Sequence, residues 1–206
     1  MKAETLEHRD RMSEVTTSQK LLLSEQVRIA YDAMGSSAAA NLINSTILAW
    51  MLWPAVDHRS IVGWWLFIFT VTLIRGVDAF LYRKQGSDIN ASHWMARLSI
   101  GTYLGGFGWM VAAILLFAAD SITHQVLLAF VVGGMAAGAT VVLSTQWVPG
   151  IAYLIMLLVP MAVQFFRLDG DIALSMGVMS LLYLLILISL ASKIRNNTLQ
   201  NIRLRI

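Results

Sequence analysis

The chain has 206 residues, 57% of them apolar and 13% charged, with a net charge of +3 and a mean hydropathy of +0.67. Soluble domains carry about a quarter charged residues, so a single water-soluble core of this size would leave too much apolar surface in water. With no cysteine, the sequence excludes disulfide scaffolds, thiolate metal sites, iron–sulfur clusters and cysteine nucleophiles.

The first 18 residues are polar and are expected to form a cytoplasmic tail without fixed structure. No apolar signal-peptide core lies within the first 28 residues, so the first membrane helix is expected to stay as an anchor. Residues 19–33 have helical periodicity. At 100° per residue, Leu23, Val27, Ala30 and Tyr31 fall on one face, while Glu25, Arg28 and Asp32 lie opposite. Such an amphipathic helix can lie on a membrane surface and lead into the first span.

Six apolar stretches follow: Met34–Trp53, Ile61–Tyr82, Leu98–Phe117, Val126–Ser144, Ile151–Phe166 and Ala173–Ser192. Most approach the roughly 20 residues that cross about 30 Å of hydrocarbon; the fifth is the shortest and can extend to include Val148 and Pro149. The expected fold is therefore an all-α polytopic membrane protein with about six transmembrane helices, occupying residues 34–192. With the N-terminus inside, 13 of the 15 Lys and Arg residues fall on the cytoplasmic side, leaving only Arg59 and Arg167 outside. The positive-inside rule favours that orientation, and an even number of spans returns the C-terminus to the cytoplasm. The basic excess thus serves topology, and nucleic acid is not an expected partner.

The third and fourth spans are rich in small residues. Gly101–Gly105 and Gly134–Gly138 have the spacing that lets helix backbones approach, and Gly106, Gly108 and Gly133 broaden those surfaces. The loop between these spans is short, which predicts that they pack as antiparallel neighbours. Arg75 and Asp78 lie three residues apart inside the second span, at a depth where ionisable groups need partners or a route to the interface. A mutual ion pair is one expectation; a polar contact that rearranges to carry a signal is the other.

Outside the membrane, His58, Asp120 and His124 offer imidazole and carboxylate groups that can respond to pH or to a cation. No motif fixes their spacing, so solvated loop positions are the commoner explanation for them, and no metal site or cofactor is expected. Asn41, Asn44, Ser45 and Thr46 place polar groups in the first span, and Pro160 interrupts the hydrogen bonding of the fifth. The external loops are too short for a ligand-binding domain. There is no phosphate-binding glycine loop, HExxH or nucleophile elbow, so the chain itself is not expected to be an enzyme. Residues 193–206 continue the last apolar stretch as a charged, helix-compatible segment without Gly or Pro.

Several pieces together carry a resemblance: EQVRIAY, AANLINSTILAWMLWP, TLIRGVDAFLYRK, the long GGFGWMVAAILLFAADSITHQVLLAFVVGGMAAGA, LVPMAVQFFRLDGD and NIRLR. Their order over residues 25–206 resembles the N-terminal membrane regions of bacterial GGDEF-type diguanylate cyclases and of some sensor histidine kinases. Met110 stands after Trp109 where those regions often have Gly. Neither a GG(D/E)EF signature nor a phosphoacceptor region is present. The resemblance therefore implies a sensor half, homodimeric in the bacterial inner membrane, that passes a signal through its sixth span to an output domain outside these 206 residues. A small transporter or permease component, with a polar path past Asn41, Asn44, Arg75 and Asp78, is the alternative.

Overall fold

A computed structural model describes residues 20–85 and 91–203, with the side chains of 201–203 excepted. The expected polar tail, residues 1–18, lies outside the described residues. All regular structure in them is helical. Helix α1 covers residues 20–32, followed by α2 (Met34–Leu52), α3 (His58–Gln85), α4 (Ala91–Leu115), α5 (Ile122–Val142), α6 (Trp147–Phe166) and α7 (Asp171–Arg203).

The helix ends follow local chemistry. Pro54, just after α2, has no N–H to continue the helix. Asp57 opens α3 by accepting a hydrogen bond from the Ser60 N–H at 3.0 Å through Oδ2. Arg83 and Lys84 occupy the last turn of α3, where positive charge complements the helix dipole. Pro149 sits in the first turn of α6, where a missing N–H costs nothing. The turn into α7 is made by Gly170 at φ +110°, a conformation that a side chain would strain. Pro160 lies within α6.

Five helices, α3 to α7, are long and apolar enough to cross a membrane. In their most apolar windows only 22–39% of residues are buried, so most apolar side chains face outward. Trp50, Phe80, Phe130 and Met179 are among the large exposed ones. A soluble monomer does not tolerate such a continuous apolar surface, whereas lipid does; this is the architecture of a helical multi-pass membrane protein. Helix α2 has 19 residues, and Asn41 and Asn44 interrupt its apolar character.

Six helices close a ring in the order α2, α3, α4, α6, α7, α5, with α6 also packed on α5. Helices α4 and α5 touch only marginally. The expected pairing of the third and fourth spans therefore gives way to α4 against α6. The reason is local: a Cβ on Gly106 would meet the Tyr153 Cα at 3.4 Å and the Met156 Sδ at 3.0 Å, so the α4 backbone sits directly on α6. A second close approach occurs at Gly108, where a Cβ would stand 2.6 Å from Ile68 Cδ1 on α3.

The main core runs through the bundle and includes Leu48, Leu52, Trp64, Ile68, Trp109, Leu116, Leu128, Leu143, Leu157 and Phe165. Trp64 donates its indole N–H to the Gly108 carbonyl at 2.8 Å and packs edge-on against Trp109. A separate cluster, where α1 docks, joins Val27, Ala30, Tyr31 and Met34 to Tyr82, Trp94 and Leu98. Tyr31 stacks on Tyr82 at 4.1 Å, and Trp94 closes both rings edge-on. Trp64 and Trp94 are therefore interior residues, while Trp50 and Trp53 remain exposed. The apolar stripe of α1 is spent on the ends of α3 and α4.

Candidate functional site

The polar residues of the spans gather around Arg75. Helix geometry tilts side chains toward the N-terminus of their own helix, which at Arg75 means away from Arg83 and Lys84 and toward the middle of α3. The stem crosses α4 at Gly101, whose added Cβ would lie 3.2 Å from Arg75 Cγ and Cδ. The guanidinium continues one turn further, where Nη1 would stand 3.7 Å from a Cβ on Gly105. Gly101 and Gly105 thus make room for a cationic side chain as well as a helix. The Arg75 Nε is buried without a hydrogen-bond partner. Among the described residues the guanidinium makes no ion pair.

Asp78 does not pair with Arg75. Its carboxylate accepts a charge-assisted hydrogen bond from the Arg97 guanidinium on α4. Arg97 is steered there by Trp94, over whose ring it lies at 5.3 Å. The three charges at this level are one satisfied pair and one unsatisfied cation.

Arg75 lines three cavities. The smallest, about 30 Å³, also touches Asn41, Thr72 and Tyr153. A second, about 200 Å³, lies between α3 and α4 beside Asp78 and Arg97. The largest, about 260 Å³, is walled by α2, α3, α4, α5 and α6; Ser37 and Asn44, Thr102, Gly134 and Gly138, and Tyr153 all contribute to it. A Cβ on Gly134 or Gly138 would meet nothing within 4 Å, and both residues are exposed. These two glycines border the mouth of the cavity between α2 and α5, where they hold no helix against them. Gly133, by contrast, packs against α7: Tyr183 donates to its carbonyl at 3.3 Å.

The wall is held by oriented hydrogen bonds. Trp109 Nε1 donates to Asn41 Oδ1 at 2.9 Å, and Asn41 Nδ2 donates to Thr72 Oγ1 at 2.7 Å. Thr72 passes its own proton to the Ile68 carbonyl at 2.8 Å. Thr102 bridges α4 to the buried Gln146 at 3.3 Å. Asn44 has only the weak Met135 Sδ acceptor at 3.3 Å, so its amide is free to serve the cavity.

The other anticipated positions stay local. His58 stacks on Trp53 and meets its carbonyl through Nε2 at 3.1 Å. His124 Nδ1 pairs with Ser121 Oγ at 2.6 Å, and Asp120 is an exposed loop residue. No group of three or more His, Cys, Asp or Glu side chains that suits a metal ion occurs among the described residues. Sequence reasoning placed Arg75 in the site but missed Thr102, Tyr153 and Arg97; a Thr, a Tyr and an Arg at apolar-stretch positions 102, 153 and 97 were the signals available. No family model, curated protein or solved structure matches this chain.

Proposed function

We propose that this chain is a membrane-embedded sensory or regulatory module that crosses the bacterial inner membrane six times with both ends cytoplasmic. In this reading α2 is the first crossing. Its two asparagines face partners on α3, α4 and α5, so they do not bar it from the bilayer. The module acts as a homodimer and passes its signal through α7 to an output domain of the diguanylate cyclase or histidine kinase kind.

The observation that carries this reading is α7 itself. Its 33 residues run without interruption from Asp171 to Arg203, roughly 50 Å at 1.5 Å per residue. That exceeds the hydrocarbon thickness by about 20 Å, and the excess is the polar end from Lys193 onward. Along its apolar part α7 packs on α6 and α5, both of which wall the large cavity. Tyr183 rests on Gly133, the residue next to Gly134 at the cavity mouth. Arg195 lies over the Trp147 ring at 5.2 Å, tying the polar end of α7 to the start of α6. A change at the cavity therefore has a short mechanical route into a rigid rod. The transporter alternative is less well supported. Its polar path needs Asn41 and Asp78 to be available, and both are engaged by neighbours.

The test joins a diguanylate cyclase catalytic domain to residue 206 in helical phase and reads cyclic dinucleotide output in inverted membrane vesicles. Substituting Arg75 or Gly138 is expected to change output several-fold at equal membrane insertion. Identical output from all variants, or solute flux through the unfused protein in liposomes, rejects the sensory reading.

A further inference from the structure

We infer that the cavity walled by α2 to α6 binds an anionic amphiphile, a single carboxylate or phosphodiester carrying an aliphatic tail, with Arg75 as its counter-ion. The inference rests on the sensory reading and names the chemistry sensed.

Charge sets the sign of the ligand. A cation held among apolar helices is costly unless it finds a partner, and Arg75 has none among the described residues. The nearest carboxylate, Asp78, is taken by Arg97. Asp78 is close enough to act on Arg75 through its charge but gives its hydrogen bond to Arg97, so the Arg75 fork is left without a bound anion and suits one. The direction of the side chain agrees: the guanidinium turns away from the basic end of α3 and lies deeper than its own Cγ, alongside Gly105. A residue placed only for topology would extend the other way, toward water.

Shape and lining set the rest. A guanidinium offers a planar fork that suits a carboxylate or phosphate oxygen pair. Asn44 and Tyr153 add neutral donors around the same space, and the remaining lining is largely aliphatic. The cavity opens sideways between α2 and α5, where Gly134 and Gly138 are exposed and have nothing within 4 Å of an added Cβ. A headgroup at Arg75 therefore leaves its tail directed between two helices into the apolar surroundings. A small hydrophilic anion would gain nothing from such a mouth.

Octanoate is the probe, titrated into the full chain in phosphatidylcholine nanodiscs and followed by calorimetry and by the melting temperature. Saturable octanoate binding is expected, with octanol at least about tenfold weaker because it lacks the hydrogen-bonded charge, and acetate at least about tenfold weaker because it lacks the buried tail. Arg75→Gln should weaken octanoate by the same factor, and Arg75→Lys, which keeps the charge but not the fork, by less. Gly138→Leu, whose added Cβ meets nothing within 4 Å, fills the mouth and should abolish binding while the unliganded protein melts no lower than the parent, since Leu is a better helix former than Gly. That variant keeps the test decisive if Arg75→Gln does not fold. A second arm adds phosphatidylglycerol and looks for it by native mass spectrometry. Retained phosphatidylglycerol displaced by octanoate supports the site with a lipid as its source; octanoate binding without retained lipid supports it with a free amphiphile. Absence of both, or binding that survives Gly138→Leu and Arg75→Gln unchanged, overturns the inference. Octanoate binding that leaves the fused cyclase output constant rejects the sensory reading and leaves the anion site standing.

Discussion

Trp109 on α4 and Asn41 on α2 share a hydrogen bond of 2.9 Å in the middle of the bundle, with the indole fully buried. An indole N–H only donates, so it fixes which end of the Asn41 amide faces it. The other end must then donate, and it does so to Thr72 on α3. Three helices are stapled by one oriented chain of donors.

Replacing Asn41 by Leu should therefore cost about 0.5–2 kcal/mol, the range for interhelical hydrogen bonds in lipid. Trp109→Phe should cost a similar amount and, combined with Asn41→Leu, less than the sum. Reversible unfolding in mixed micelles, set out as a double-mutant cycle, measures the coupling; strict additivity would show that the bond contributes nothing.

Gly108 and Gly138 should respond in opposite directions to the same methyl group. Gly108→Ala places a Cβ against the buried Ile68 and the Phe67 ring, which should destabilise by about 1–3 kcal/mol through overpacking. Gly138→Ala meets open space and should gain about 0.5–1 kcal/mol from helix propensity. Thermal denaturation of the two variants side by side checks the sign of each.

Asp78 and Arg97 join α3 to α4 at the end of the bundle where α1 docks. The pair is part-exposed, so its worth is modest, about 1 kcal/mol or less. Asp78→Arg should loosen this end, and the exchange Asp78→Arg with Arg97→Asp should recover most of the loss. Hydrogen exchange of the α1 amides reads the effect, and failure of the exchange to recover protection would place the contribution elsewhere.

Tyr31 lies outside the spans, buried in the α1 cluster with no hydrogen-bond partner for its hydroxyl. Burial, reinforced by the Asp78 charge, pushes its phenol above the ordinary value. A raised value means that the folded state prefers the neutral phenol. Its contribution is complete below about pH 10 and is lost as the pH climbs toward the folded-state value. Docking of α1 should weaken in that alkaline range, followed by phenolate absorbance. Tyr31→Phe should remove this pH dependence and cost little, because the hydroxyl it deletes is unsatisfied; a large loss would show a bond to that hydroxyl.

The helices were legible because a hydrocarbon solvent demands long apolar runs, and each of α3 to α7 overlaps one expected stretch, with α4 starting earlier, at Ala91, and α7 running on to Arg203. Their neighbours were not legible. Gly101–Gly105 and Gly134–Gly138 have identical spacing, yet the first receives Arg75 and the second borders open space. Spacing shows where a backbone is bare, and only the ring order decides what comes near it. The partner of Asp78 was hidden for a related reason. Arg75 is three residues away on the same helix, but side chains tilt along the helix axis, and Arg97 on α4 reaches the carboxylate instead. The two asparagines of α2 signalled polar partners correctly; that those partners are an indole, a threonine and a thioether depended on packing.

The pairing of α4 with α6 has a consequence for synthesis. Helix α4 leaves the ribosome well before its partner, and its bare face at Gly105 and Gly106 meets Tyr153 only after the chain has grown through α5 and into α6. Until then the face is open to any passing helix, and Thr102 has not yet met Gln146. The step that commits this bundle to its final arrangement is therefore the arrival of α6, and damage there should be read out as degradation of the nascent chain before it is read out as lost activity.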